Sequence, residues 1–268
     1  LAELVFLKLG GSLITDKTRP LTARADVIAR CAQEIALAWR EGIRLVVGHG
    51  SGSFGHAVAH EYGTRRGVQG PVQWYGYARV ADVARRLNCL VVQALIEVGL
   101  PAVPVPPSAT AWAREGELVR MDGETIAGLL ERGALPVVHG DVALDEAWGG
   151  TIVSTEQVLI YLAPRLLPAR MVLAGEVAGV YSADPNLDPQ ATLFPRVGPD
   201  NYEDILRHLG GAHGTDVTGG MADKVRRMYE LARRHPGLTV QLISGLQPGL
   251  LERALLGRAA DEGTRIEA

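Results

Sequence analysis

Ile43-Arg44-Leu45-Val46-Val47-Gly48-His49-Gly50-Ser51-Gly52-Ser53-Phe54-Gly55-His56 is an apolar run that breaks into a glycine-rich turn and then takes on helical spacing. Strand, glycine turn and helix in that order are the opening of an α/β unit. Leu4-Val5-Phe6-Leu7-Lys8-Leu9-Gly10-Gly11-Ser12 has the same design. To either side, segments of the two kinds alternate. Residues 21–41, 72–98, 123–132, 155–163 and 221–235 have helical spacing, the fourth stopped by Pro164. Residues 102–105, 134–139, 169–174 and 238–244 read as short strands, 145–150 as a turn or hairpin tip, and everything from Arg258 as a polar tail. This alternation predicts a mostly parallel sheet covered by helices on both faces, with ligand sites at the carboxyl ends of the strands. No internal repeat or low-complexity linker divides the chain. The expectation is one domain, 1–268, with two lobes meeting near residue 163.

The composition excludes several classes of function. With 268 residues the chain is long enough for a sizeable core, and 47% hydrophobic with 21% charged residues is ordinary for a globular domain. A net charge of -3 with both signs interspersed argues against a nucleic-acid surface or a polybasic membrane anchor. No apolar run reaches the ~18 residues of a membrane span. The opening residues do not have the pattern of a secretion leader, and a cytoplasmic protein is expected. Cys31 and Cys89 lie in helix-like patterns and read as buried free thiols, with no zinc-type His/Cys cluster. Lys and Arg together number 27, yet the only lysines are Lys8, Lys17 and Lys224. A coding bias explains the excess of Arg but not the three survivors. Lys is a compact point charge where Arg is a broad planar fork, so a site beside a moving phosphoryl group would resist the exchange.

Glycine turns after parallel strands bring backbone N–H groups close to a ligand and form anion sites where they open onto helices. Two such turns facing each other suit two phosphate-bearing ligands. Gly50 to Gly55 contains G-x-G-x-x-G, but after the second strand, and about 20 residues on stands Trp74-Tyr75 rather than an acidic strand end, so a dinucleotide fold is not indicated. The P-loop motif and the protein-kinase motif set are both missing from the sequence.

The motifs Lys8-Leu9-Gly10-Gly11-Ser12, Gly50 to His56, Gly140-Asp141-Val142, Gly179-Val180-Tyr181 with Asp184-Pro185, and Asp216 to Lys224 occur in order along nearly the whole chain. In this the sequence resembles the amino-acid-kinase superfamily, and within it the isopentenyl phosphate kinases, whose acceptor loop ends in a histidine. The resemblance implies a three-layer αβα sandwich with an acceptor lobe (about 1–163) and a nucleotide lobe (about 164–268). It implies ATP with Mg2+, a small-molecule phosphate as acceptor, conversion of isopentenyl phosphate to isopentenyl diphosphate for isoprenoid biosynthesis through the mevalonate pathway, and a homodimer.

Mapped onto these positions, the resemblance makes Lys8, Lys17, His56 and Lys224 the catalytic set. Lys8, Gly10, Gly11, Ser12, Gly52, Glu176, Gly179, Tyr181, Asp184, Gly220 and Lys224 would hold ATP, while Gly50, Ser51, Gly55, His56 and Thr155 would hold the acceptor. Asp141 and Glu156 would orient the lysines. Two departures stand out: Ser154-Thr155-Glu156 where the family has S-G-D, and Ala174 to Gly179 where it has T-D-V-D-G. An acceptor phosphate with a second pKa of ≈ 6 is already anionic near neutral pH, so His56 reads as a hydrogen-bond donor rather than a base. His49, His60, His139, His208, His213 and His235 read as structural. Trp74, Tyr75, Ala78 and Val83 are candidates for an apolar pocket. Two other readings remain at this stage: a fosfomycin-type phosphonate kinase, and a non-catalytic nucleotide sensor.

Overall fold

The computed structural model describes residues 2–211 and 220–268. Asp216 to Gly219 of the last motif, and His213, lie outside the described residues. The chain begins with β1 (Leu4–Leu9), a single turn α1 (Gly11–Ile14), α2 (Ala25–Arg40), β2 (Arg44–His49), α3 (Gly52–Tyr62) and the long α4 (Pro71–Glu97). Next come β3 (Ala102–Pro104), β4 (Trp112–Arg114), β5 (Glu117–Arg120), α5 (Glu124–Glu131) and β6 (Leu135–His139). A hairpin, β7 (Asp141–Asp145) and β8 (Gly149–Val153), leads into α6 (Thr155–Leu166). The second half holds β9 (Arg170–Gly175), the ribbon β10 (Val180–Tyr181) and β11 (Leu193–Phe194), β12 (Arg196–Val197) and α7 (Tyr202–Gly211). It ends with α8 (Gly220–Arg234), β13 (Thr239–Ser244), α9 (Leu250–Leu255) and β14 (Thr264–Ile266).

One eight-stranded sheet runs through both halves in the order β12-β14-β13-β9-β1-β2-β6-β3, parallel throughout except for the β13–β14 pair. Side chains of a strand alternate between faces. On β1, Val5, Leu7 and Leu9 pack with Leu45 and Val47 against Ile35 of α2, Leu87 of α4 and Leu251 of α9. Leu4 and Phe6 point the other way, joining Val46 and Val138 against Val158 and Leu162 of α6 and Val225 and Met228 of α8. The expected three-layer sandwich is therefore present. The same alternation turns Lys8 towards α6 and α8.

Several expectations need correction. The polar tail contains β14, with Thr264 and Ile266 fully buried and Arg265 between them partly exposed. A three-residue alternation among polar neighbours leaves little periodic signal. Replacing Ile266 by Ala is expected to cost ~2–5 kcal/mol of stability, read from the denaturation midpoint. α6 continues past Pro164 to Leu166, because a proline this near the carboxyl end forfeits only one late hydrogen bond. Cys31 is buried, and burial pushes its thiol up to about 11, but Cys89 is exposed. Trp74, Tyr75 and Ala78 face outward on the first turns of α4, while Val83 belongs to the core.

Candidate active site

The carboxyl end of β1 brings the first lysine to the first turn of α6. There Ser154 accepts a hydrogen bond from the Gln157 N–H (3.1 Å), and the Gln157 side chain accepts one from the Ser154 N–H (2.8 Å). This capping box fixes the start of the helix and so the place of Glu156. The Glu156 carboxylate forms an ion pair with the Lys8 ammonium, both side chains being largely buried. Burial pushes the Glu156 carboxyl up, but the charge of Lys8, then that of Lys224, outweighs it and holds the group at about 2. The attraction is thus complete above the ordinary carboxyl value of 4.5 and fades only as pH falls towards 2. Lys224 stands in the first turns of α8, which opens at Gly220 with a φ of 61°. Lys8, Glu156 and Lys224 therefore form one electrostatic group.

The two glycine turns interlock. Gly10 donates to the Ala174 carbonyl (2.7 Å) and Gly50 to the Leu9 carbonyl (2.9 Å), which continues the sheet ladder into the turns. A Cβ on Gly11 would lie 2.7 Å from the Gly52 Cα, and one on Gly50 would lie 2.7 Å from the Gly11 nitrogen. Thr15 bolts the pair: its hydroxyl donates to the Gly11 carbonyl (2.7 Å) and accepts from the Ser53 N–H (2.9 Å). The contacts are backbone on backbone, so no side chain can swing aside. Gly11→Ala is expected to cost ~1–3 kcal/mol of stability and to weaken nucleotide binding, checked by melting and by titration with nucleotide.

Lys17 sits on an exposed loop that is nevertheless well braced. The Asp16 carboxylate accepts from the Thr18 hydroxyl (2.6 Å), the Thr18 N–H (2.9 Å) and Arg19 (3.0 Å), and these bonds, those of Thr18 foremost, hold it at about 2. The Leu21 N–H donates to the Ser53 carbonyl (3.3 Å), which ties the loop to the start of α3. Lys17, Thr18 and Pro20 from the loop, with Gly52, Ser53, His56 and Ala57 from α3, line an open cleft of about 350 Å³. His56 is exposed early in α3, and Gly55 leaves room for Ser51 beneath it. The structure thus brings Lys17 and His56 to one cavity, beside the glycine turns.

Other expected residues fall differently. The Thr155 hydroxyl donates to the His49 carbonyl (2.6 Å), leaving its backbone N–H at the start of α6 as the group available to a ligand. Asp141 is buried, and its described hydrogen bonds run not to a lysine but to the N–H groups of Ser108 (3.0 Å) and Val142 (2.8 Å), with His139 at 3.4 Å. His139 and the Ser108 N–H outweigh burial and hold the Asp141 carboxyl below its usual range. Asp141 therefore serves the strand end, and the lysine-orienting contact that the structure displays belongs to Glu156. Glu176 pairs with Arg24 (3.0 Å), linking the loop after β9 to the start of α2. Asp184 accepts from the N–H and side-chain amide of Asn186 and so shapes its own turn (2.9 and 3.0 Å). Gly179 lies against Thr264, whose hydroxyl accepts from the Val180 N–H (2.8 Å), with Tyr181 next on β10. His49, read from the sequence as structural, is the buried end of β2, and its carbonyl also accepts from the Gly140 N–H (3.2 Å). Its only sequence signal was its position, directly before the second glycine turn.

This geometry has known counterparts. The Amino acid kinase family profile matches residues 3–244. An isopentenyl phosphate kinase of Methanothermobacter thermautotrophicus is 38% identical, the match covering 98% of each chain. One of Haloferax volcanii is 40% identical over 94% of this chain and 99% of its own. The solved structure described as "X-ray structures of isopentenyl phosphate kinase" superposes with a TM-score of 0.82 at 34% identity, covering 98% of this chain and 99% of that one. On the strength of this profile and these end-to-end relatives, the chain belongs to the amino acid kinase family.

Proposed function

We propose that the protein transfers the γ-phosphoryl group of ATP to isopentenyl phosphate, giving isopentenyl diphosphate and ADP. The observation that carries this reading is the cleft in which Lys17 and His56 stand together beside the interlocked glycine turns, in a chain related over its full length to isopentenyl phosphate kinases. An oxygen of the acceptor phosphate attacks the γ-phosphorus, and the bond to the β–γ bridging oxygen breaks as ADP departs. Charge on the moving group spreads over its equatorial oxygens, so positioning and electrostatics carry the catalysis. Lys8 and Lys17 neutralise that charge, and Lys224 and the N–H groups of Gly11, Ser12, Gly52 and Gly220 hold the nucleotide. His56 donates to the acceptor phosphate, with Gly50, Ser51, Gly55 and the Thr155 N–H completing its cradle. Glu176, Gly179, Tyr181 and Asp184 are the nucleotide lobe's contribution. Mg2+ would arrive on the nucleotide's phosphates and keep part of its water. The Glu156 carboxylate is already committed to Lys8.

No observation favours the phosphonate-kinase or sensor readings over this one. The homodimer, the cytoplasmic location and the supply of isoprenoid synthesis through a mevalonate route accompany this proposal. No helix among the described residues is long and apolar enough to cross a membrane. The test is ADP release by the purified protein with MgATP and either isopentenyl phosphate or fosfomycin. Turnover with isopentenyl phosphate is expected. Turnover with fosfomycin alone would move the chain to phosphonate chemistry, and silence with both would remove the catalytic reading. Sedimentation at assay concentration tests the dimer.

A further inference from the structure

Beneath the acceptor turn lies a buried polar cluster that the proposed chemistry does not use. His49 and His139 end adjacent parallel strands in register, and their rings stack 5.4 Å apart at 8°. Both are essentially without solvent exposure, as is Asn88 on α4. The His49 Nδ1 lies 3.1 Å from the Gly50 carbonyl, and the Nε2 lies 3.0 Å from the side-chain nitrogen of Asn88. A carbonyl only accepts, so Nδ1 carries the proton, and Nε2 then accepts from the Asn88 amide. Burial, then the neighbouring His139, pushes His49 down to about 3, in keeping with a neutral ring that holds a single tautomer.

From this, resting on the function proposed above, we infer that His49 is a positioning residue for the acceptor phosphate, its ring clasping the Gly50 carbonyl and so aiming the Ser51 N–H into the cradle. The step from clasp to aim is peptide geometry. The Gly50–Ser51 bond is trans, as every described peptide bond is, and a planar trans peptide points its C=O and its N–H in opposite directions. Holding the carbonyl against the buried ring therefore turns the Ser51 N–H away from it. Without the clasp, the glycine at position 50 would leave this peptide free to rotate. The same residue's backbone carbonyl receives Gly140 N–H and Thr155 Oγ1. Three segments that border the acceptor site thus meet on His49.

The test uses His49→Leu, His49→Asn and His49→Gln with the wild-type protein beside them. Leucine removes the donor, and the acceptor KM is expected to rise about tenfold, the loss of one neutral hydrogen bond, while kcat and the ATP KM stay within twofold. The asparagine amide stands where Nδ1 stood and is expected to recover most of the lost affinity. The glutamine amide mimics Nε2 instead and is not. Independently, NMR of histidine labelled with nitrogen-15 in the wild-type protein should show His49 as the Nδ1–H tautomer. An unchanged acceptor KM in His49→Leu, an equal rise in both KM values, or the Nε2–H tautomer would overturn the inference. If the leucine variant does not fold, the contrast between the Asn and Gln variants, together with the tautomer, decides the matter. A wild-type protein inactive on isopentenyl phosphate would count against the proposed function, while the tautomer alone would then decide whether the clasp exists.

Discussion

Lys8→Ala is expected to lower kcat by ~10²–10³, with the KM for isopentenyl phosphate nearly unchanged. A preorganised positive group aimed at charge that develops in the transition state has an effect of this size. Lys8 qualifies because nothing about it is loose. Its strand is paired on both sides, its stem runs along the face covered by α6 and α8, and its ammonium is held by Glu156. Removing it also strands a buried carboxylate. Breaking a buried pair costs up to ~3–5 kcal/mol, and Lys224 softens the loss here. Stability and catalysis must therefore be separated, and the double variant Lys8→Ala/Glu156→Gln does so. Its melting temperature should return towards the wild type while its turnover stays low. Single-turnover rates within fivefold of the wild type in Lys8→Ala would end the assignment.

His56→Ala is expected to lower kcat/KM for the acceptor by ~10–150-fold, the effect of losing one hydrogen bond to a charged group. The melting temperature should hold, because the side chain is exposed on the cleft wall rather than part of the core. The KM for ATP should hold too. His56→Gln, which keeps a donor without the ring, should recover part of the loss. A change of less than threefold for the acceptor would show that Lys17 and the turn alone hold the phosphate.

Much of this was legible in the sequence because a strand buried on both faces reads as an unbroken apolar run. β1 and β2 announce themselves that way, and their glycine turns point to the site at once. The three lysines stood out in the sequence because every other basic position is Arg, and the structure places Lys8 and Lys224 around Glu156 and Lys17 on the cleft with His56. What stayed hidden depends on contacts between distant segments. That Asp141 serves Ser108 and His139, and that Glu176 meets Arg24, follows from how loops pack and leaves no periodic trace. β14 was lost because three residues carry too little alternation. Trp74 and Tyr75, candidates for an apolar pocket, lie exposed at the amino end of α4, a placement that helical spacing alone does not give.

The central sheet is continuous, with β1 bonded to β2 on one side and to β9 on the other. That continuity joins the two halves through one sheet, so a clamshell motion between them would have to tear the five registered residue pairs that link β1 to β9. Substrate exchange is therefore expected to use the peripheral loops, on the nanosecond-to-microsecond scale of such segments rather than the slower scale of hinged domains. Rate-limiting product release, if measured, should then respond to changes in the loop that carries Lys17 and not to stiffening of the sheet.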